Sequence, residues 1–203
     1  HECGGWVQNV WKVDGLTRAE LDVVCNTARE VYLSNVRKNC ERELPWLSFE
    51  DSGERSVAIV GGAPSVKKAV GEIKYRKALG QEVWALNGSY AWLLENGIRA
   101  DVHVIIDARP ENIAFLSSPD PKCHYFIASQ CHPSLFDALK GCKVTVVHLL
   151  ADGMLEFLTG FNTDKPTHLI GGGTTVGMKA ILIAHETGAR KIHLYGMDSS
   201  YSD

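Results

Sequence analysis

The chain has 203 residues, 45% of them hydrophobic, with a formal net charge of −3 at pH 7 and a pI near 6.3. That is enough apolar material for one large domain with a real core, and the charge gives no basic footprint, which sets nucleic acid aside as the main partner. No apolar run is long enough to span a bilayer and no signal-peptide pattern occurs, so a soluble, cytoplasmic protein with no membrane partner is expected.

Residues 1–16 hold Gly4-Gly5, Trp6 and Trp11 without a clear period. Thr17-Arg18-Ala19-Glu20 has the pattern of a capping box and predicts a helix over about 17–39. A charged, proline-containing connector follows over 41–55. From there the pattern alternates. Apolar strands are predicted at 56–60, 82–86, 102–106, 124–129, 143–148 and 191–195. Between them lie helices. Ser65 is placed to cap the first, which Gly80 ends. A short helix over 89–96 is ended by Gly97. Pro110 and Pro133 each stand where a helix would begin. Residues 151–166 are irregular with one helical turn. Thr174 or Thr175 is placed to cap a last helix, ended by Gly188.

Strands that are nearly continuous apolar runs, alternating with helices, indicate an α/β fold: a Rossmann-like, doubly wound, mostly parallel sheet. Residues 1–55 read as an N-terminal helical appendage and 56–203 as the main domain. The chain begins at His1 and ends at Asp203, just after a strand-like run, so both natural ends are expected to be missing. In such sheets ligands lie outside the carboxyl ends of the strands, which directs attention to Gly61-Gly62, Asn87-Gly88, Asp107, Ser129-Gln130-Cys131-His132 and Gly196-Met197-Asp198.

Two turns there suit an anion. Gly61-Gly62-Ala63-Pro64-Ser65 joins a strand to a helix, and Gly171-Gly172-Gly173-Thr174-Thr175 does the same before the last helix. Glycine permits close backbone approach, and a helix start offers free N–H groups and a positive dipole end. The plainer alternative is a tight strand-to-helix turn without a ligand at the first, and close helix–sheet packing through glycine at the second. Neither turn is a known nucleotide fingerprint. The first lacks the Gly-x-Gly-x-x-Gly spacing, with Ala63 and Val66 at the required positions, and Asn87 stands where a dinucleotide site wants an acid. The second is followed by Met178-Lys179, not the Lys-Ser/Thr of an NTPase.

Asp107 and Asp198 each end a strand, where a carboxylate serves Mg²⁺, a sugar hydroxyl or a substrate proton. Capping or an Asx-turn is the competing role. Asn87 offers a donor and an acceptor for base or sugar recognition, or simply makes an Asn-Gly turn. His132 suits an acid, a base or a phosphate contact. Tyr201 and Ser199-Ser200 follow the last strand and could meet a phosphate or acceptor. The six cysteines (Cys3, Cys25, Cys40, Cys123, Cys131, Cys142) show no Cys-x-x-Cys and match no common zinc spacing, so reduced thiols are expected. Cys131-His132 alone gives little support to thiol catalysis.

Val57-Ala-Ile-Val-Gly-Gly-Ala-Pro-Ser65, Trp84-Ala-Leu-Asn-Gly88, Gly97-Ile-Arg-Ala-Asp-Val-His-Val-Ile-Ile-Asp107, Gly171-Gly-Gly-Thr-Thr-Val-Gly177 and Ile192-His-Leu-Tyr-Gly-Met-Asp198 occur in this order. The set resembles the 6-hydroxymethylpterin diphosphokinase MptE-like domain family, with its Maf-type flagellin glycosyltransferases, its likeness to sialyltransferases and its phage-encoded members. The resemblance covers about residues 56–203 and implies a Rossmann-like transferase with a nucleotide-linked donor. In the sugar-transfer branch it implies that Gly61, Gly62, Pro64, Ser65, Asn87 and Gly88 hold the nucleotide, and that Gly172, Gly173, Thr174 and Thr175 contact the donor. Asp107, Asp198, His132 and Tyr201 are then the candidate catalytic residues, with a histidine base expected beyond Asp203. In the diphosphokinase branch ATP and Mg²⁺ serve a pterin alcohol, with Asp107 the candidate metal ligand. That branch carries acidic motifs at the second and third strand ends, where this chain reads Leu86-Asn87-Gly88 and Ile106-Asp107-Ala108-Arg109. The expected partner is a nucleotide or nucleotide sugar, with a homo-oligomer left open. A non-catalytic binding or assembly module, in a phage for instance, is the reading from another class.

Overall fold

The computed structural model describes residues 6–13, 16–22, 27–50, 53–151, 153–161 and 164–198. β1 (Trp6–Val13) and β2 (Leu16–Asp22) form an antiparallel two-stranded sheet. The first helix, α1, runs only over Arg29–Cys40. The capping-box segment therefore lies in β2 and opens no helix: Thr17 pairs with Lys12 and Ala19 with Val10. A capping box is a local pattern. The facing strand is rich in Val and Trp, which favour pairing and override it.

The alternation that follows matches the sequence pattern closely. β3 (Arg55–Val60) leads through a 3₁₀ turn (Pro64–Lys68) to α2 (Val70–Ala78). Ala63 stands at the cap of that turn, so Ser65 caps no helix. Next come β4 (Glu82–Leu86), α3 (Ser89–Glu95), β5 (Val102–Ile105) and a 3₁₀ segment (Pro110–Leu116). They are followed by β6 (His124–Ala128), α4 (Pro133–Ala138), β7 (Lys143–Leu149) and α5 (Met154–Thr159). β8 (Leu169–Ile170), α6 (Val176–Glu186) and β9 (Ala189–Tyr195) complete the described chain.

Seven strands form one parallel sheet in the order β8-β7-β6-β5-β4-β3-β9. The chain lays down β3 to β8 in one direction, and β9 returns to the far side of β3. α6 makes that return, packing on β8, β5, β4, β3 and β9. Inner strands are buried on both faces: Val57, Ala58, Ile59 and Val60 of β3 have no exposed surface, nor do Val104, Ile105 and Ile127. Burying one such Val or Ile side chain contributes about 1.5–3 kcal/mol. The rigid frame is therefore β3 to β7, while β9 at the edge is buried only at its ends, Ala189 and Tyr195.

α1 packs on this frame. Asn39 Nδ2 donates to the carbonyls of Ser129 (2.9 Å) and Cys131 (2.8 Å), and Asn35 Nδ2 to that of Gln130 (3.1 Å). The connector adds Trp46 alongside Val146 of β7. Strand order reverses at β3, and the crevice at such a reversal is where open α/β sheets bind ligands.

Candidate ligand-binding site

A cavity of ≈620 Å³ opens at the carboxyl ends of β9, β3 and β4. The loop after β3 contributes Gly61, Gly62, Ala63, Val66 and Lys67. β4 contributes Leu86, the turn into α3 adds Asn87 and Gly88, and α3 itself adds Ser89 and Trp92. Thr175, Val176 and Gly177 come from the start of α6, and Gly196, Met197 and Asp198 from the end of β9.

The first glycine turn is locked to β9. A Cβ on Gly61 would collide with the Gly196 carbonyl oxygen, and one on Gly196 would lie 2.6 Å from the Gly61 oxygen. The Gly61 N–H donates to Tyr195 O (2.8 Å) and that of Ala63 to Gly196 O (3.1 Å). The N–H of Ser65 (3.3 Å) and its hydroxyl both donate to Asp198. Asp198 thus sits at the first turn as an internal anion. Gly61 serves close approach to β9, whereas Gly62 has open room, and the turn forms one wall of the cavity.

The second turn reaches the cavity only at its helical end. Thr175, Val176 and Gly177 line it, whereas Gly172, Gly173 and Thr174 stand apart. Thr175 caps α6, its hydroxyl accepting from Met178 N at 3.3 Å. The turn is held from below by Lys179, 6% exposed, whose ammonium donates to the carbonyls of Ile170 (3.0 Å) and Gly171 (2.9 Å). Burial pushes its pKa below the ordinary lysine value. Met197 joins the two turns. A Cβ on Gly61 would lie 3.1 Å from its sulfur, and one on Gly177 2.9 Å from the same atom.

Asn87 ends β4 with φ +47°, the left-handed region that asparagine tolerates better than most residues. His103 lies beneath it, with Nε2 2.8 Å from Asn87 O. Burial pushes His103 down to about 4, against the partial opposition of that bond. The ring is therefore neutral near pH 7 and donates through Nε2–H. It stacks on Tyr90 at 4.7 Å and 8°. The Asn87 carboxamide oxygen is buried and has no donor among the described residues. Ser89 ties the strand ends together, its hydroxyl accepting from Leu86 N (2.8 Å) and donating to Val60 O (2.7 Å).

The other candidates lie elsewhere. Asp107 follows β5, outside the cavity lining, and both its oxygens accept from Arg109: Oδ2 from Nε (3.0 Å) and Nη2 (2.7 Å), Oδ1 from Nε (3.1 Å) and the backbone N–H (3.0 Å). Burial pushes its carboxyl up, but the Arg109 hydrogen bonds and charge outweigh this and hold it below its usual value. No three His, Cys, Asp or Glu side chains gather as a metal cluster among the described residues. With Arg109 on Asp107, these residues do not form a Mg²⁺ site on their own. His132 caps α4 after β6, its Nδ1 accepting from Ser134 N at 3.3 Å. Cys131 is fully buried and burial pushes its thiol up, opposite to what a nucleophile needs. Tyr201 and Ser199-Ser200 fall outside the described residues. Lys67 and Trp92 line the cavity and carry no motif; their only sequence signal is position, two residues past Ser65 and five past Asn87.

Fold and cavity define a Rossmann-like α/β protein with a crevice at its strand-order reversal. The chain belongs to the 6-hydroxymethylpterin diphosphokinase MptE-like family, whose model matches residues 30–203. The match takes in α1 as well as the alternating region. Among solved structures, the MAf glycosyltransferase from Magnetospirillum magneticum AMB-1 superposes with a TM-score of 0.66 at 17% identity. The alignment covers 83% of this chain and 27% of that one, so the chain spans about a quarter of the neighbour's length. No curated protein matches the sequence. No helix among the described residues is long and apolar enough to cross a membrane.

Proposed function

We propose that this chain is the nucleotide-binding domain of a cytoplasmic transferase that works from a nucleotide-linked sugar. The observation that carries the reading is the placement of Asn87. A left-handed residue with a buried, donorless carboxamide oxygen stands at the strand-order reversal, on a cavity that both glycine turns reach. A buried acceptor without a donor costs about 1–3 kcal/mol, and a base amine or ribose hydroxyl supplies the missing donor. The first amides of α6 are positioned for charge that develops on a leaving phosphate. Asp198, on the same wall, is the carboxylate available to an acceptor hydroxyl, with Ser65 holding it in place.

The family description favours a second reading, a Mg²⁺-dependent diphosphokinase. The Arg109 clamp on Asp107 gives that reading less support here. Titration calorimetry of the chain with nucleotides and nucleotide sugars tests the first reading, which expects binding that Asn87→Ala weakens about tenfold. Mg²⁺-dependent consumption of ATP with a pterin alcohol would replace it. Absence of any nucleotide binding would leave a non-catalytic assembly module, the fold kept without the chemistry.

A further inference from the structure

The donors of the first glycine turn are almost all engaged within the protein. Gly61, Ala63 and Ser65 donate to Tyr195, Gly196 and Asp198, and Pro64 has no N–H. Of this turn's amides, that of Gly62 alone has no hydrogen-bond partner among the described residues. Gly62 is exposed and lines the cavity, and a Cβ there would meet nothing within 4 Å. The turn cannot by itself balance a phosphate, and charge has to come from elsewhere. Among the described residues lining the cavity, Lys67 is the one cation and Trp92 the one aromatic. Lys67 is exposed and has no ion-pair partner among the described residues.

We propose that Lys67 and Trp92 divide the ligand between them. This rests on the nucleotide reading and sharpens it. The Lys67 ammonium takes the phosphate together with the first amides of α6, and the Trp92 indole takes the face of the heteroaromatic base. A cavity of ≈620 Å³ is of the size that holds a drug-sized ligand. One cation balances the single charge of a phosphodiester and offsets about half that of a free monophosphate. Asp198 on the same wall opposes the further charge of a triphosphate. The ligand class is therefore a nucleoside 5′-monophosphate unit, free or as the nucleotide end of a larger donor.

Calorimetry on the 203-residue chain with the four ribonucleoside 5′-monophosphates, their triphosphates and their parent nucleosides tests this. The wild type is expected to prefer a monophosphate over its nucleoside by about tenfold or more, the range of a charge-assisted bond, and over its triphosphate without added metal. Lys67→Gln should abolish the preference over the nucleoside and leave nucleoside affinity unchanged. Trp92→Leu should weaken nucleoside and nucleotide alike by about tenfold, with Trp92→Phe retaining most of the affinity and confirming that the fold survives. If the phosphate preference persists in Lys67→Gln, or Trp92→Leu binds the nucleoside as the wild type does, the assignment is wrong. A triphosphate bound more tightly than the monophosphate also overturns it. If the wild type binds none of these compounds, the nucleotide reading itself has failed.

Discussion

His103 Nε2 lies 2.8 Å from the carbonyl oxygen of Asn87, so a buried neutral imidazole holds the left-handed residue at the cavity wall. Strand end and candidate recognition side chain are thus fixed by one bond from the core. Either form of the ring can donate that bond, but the buried position depends on His103 staying uncharged, because one hydrogen bond does not compensate a desolvated imidazolium.

That dependence predicts acid lability. His103 and His148 are both buried and pushed by burial to about 4, below the ordinary histidine value of 6.5. A folded pKa below the unfolded one means that the unfolded chain binds more protons between pH 6.5 and 4. Stability is then full above about pH 6.5 and falls as pH drops towards 4. Each histidine accounts for about 2 kcal/mol by pH 5. Urea unfolding at pH 7 and pH 5 should show the drop, reduced in His103→Asn. An equal drop in that variant would refute the assignment.

Adjacent glycines should behave oppositely. Gly61→Ala drives a methyl into the Gly196 carbonyl, whereas a Cβ at Gly62 meets nothing within 4 Å. Gly61→Ala should cost about 1–3 kcal/mol, the range of overpacking, and Gly62→Ala less than about 0.5 kcal/mol. Denaturant midpoints of the two variants check this. Equal costs would mean that β3 and β9 do not meet as described.

Lys179 should matter to the second turn without touching a ligand. Lys179→Met keeps the stem and removes the donors to Ile170 and Gly171. The part-buried Gly171 carbonyl loses its donor and that of Ile170 keeps only Leu150 N (2.9 Å), at a cost of about 1–3 kcal/mol. β8 has only two residues, so the loss should be local. Hydrogen exchange is expected to quicken over residues 169–175 and to stay unchanged in β3 to β6. Uniform acceleration instead would show that Lys179 supports the whole sheet.

The sequence by itself determined the sheet. Runs such as Val57–Val60, Val83–Leu86 and Phe126–Ala128 are apolar throughout, and only a parallel sheet covered on both faces buries them. The glycines and prolines between them punctuate the helices, so the architecture and the family were legible. The chain start was not: Thr17–Glu20 has a cap pattern, and pairing with the preceding strand, Thr17 with Lys12, makes it β2. The site was legible in part. Gly61, Asn87 and Thr175 were readable as strand-end or helix-start residues. Which of them share a cavity depends on strand order, and strand order is set by non-local packing that no local window contains. Tertiary structure alone brought β9 beside β3. It thereby joined Asp198 to Ser65 and Met197 to Gly61 and Gly177, and placed Lys67 and Trp92 on the wall of one cavity, whereas Asp107–Arg109 and His132–Ser134 are local contacts two residues apart.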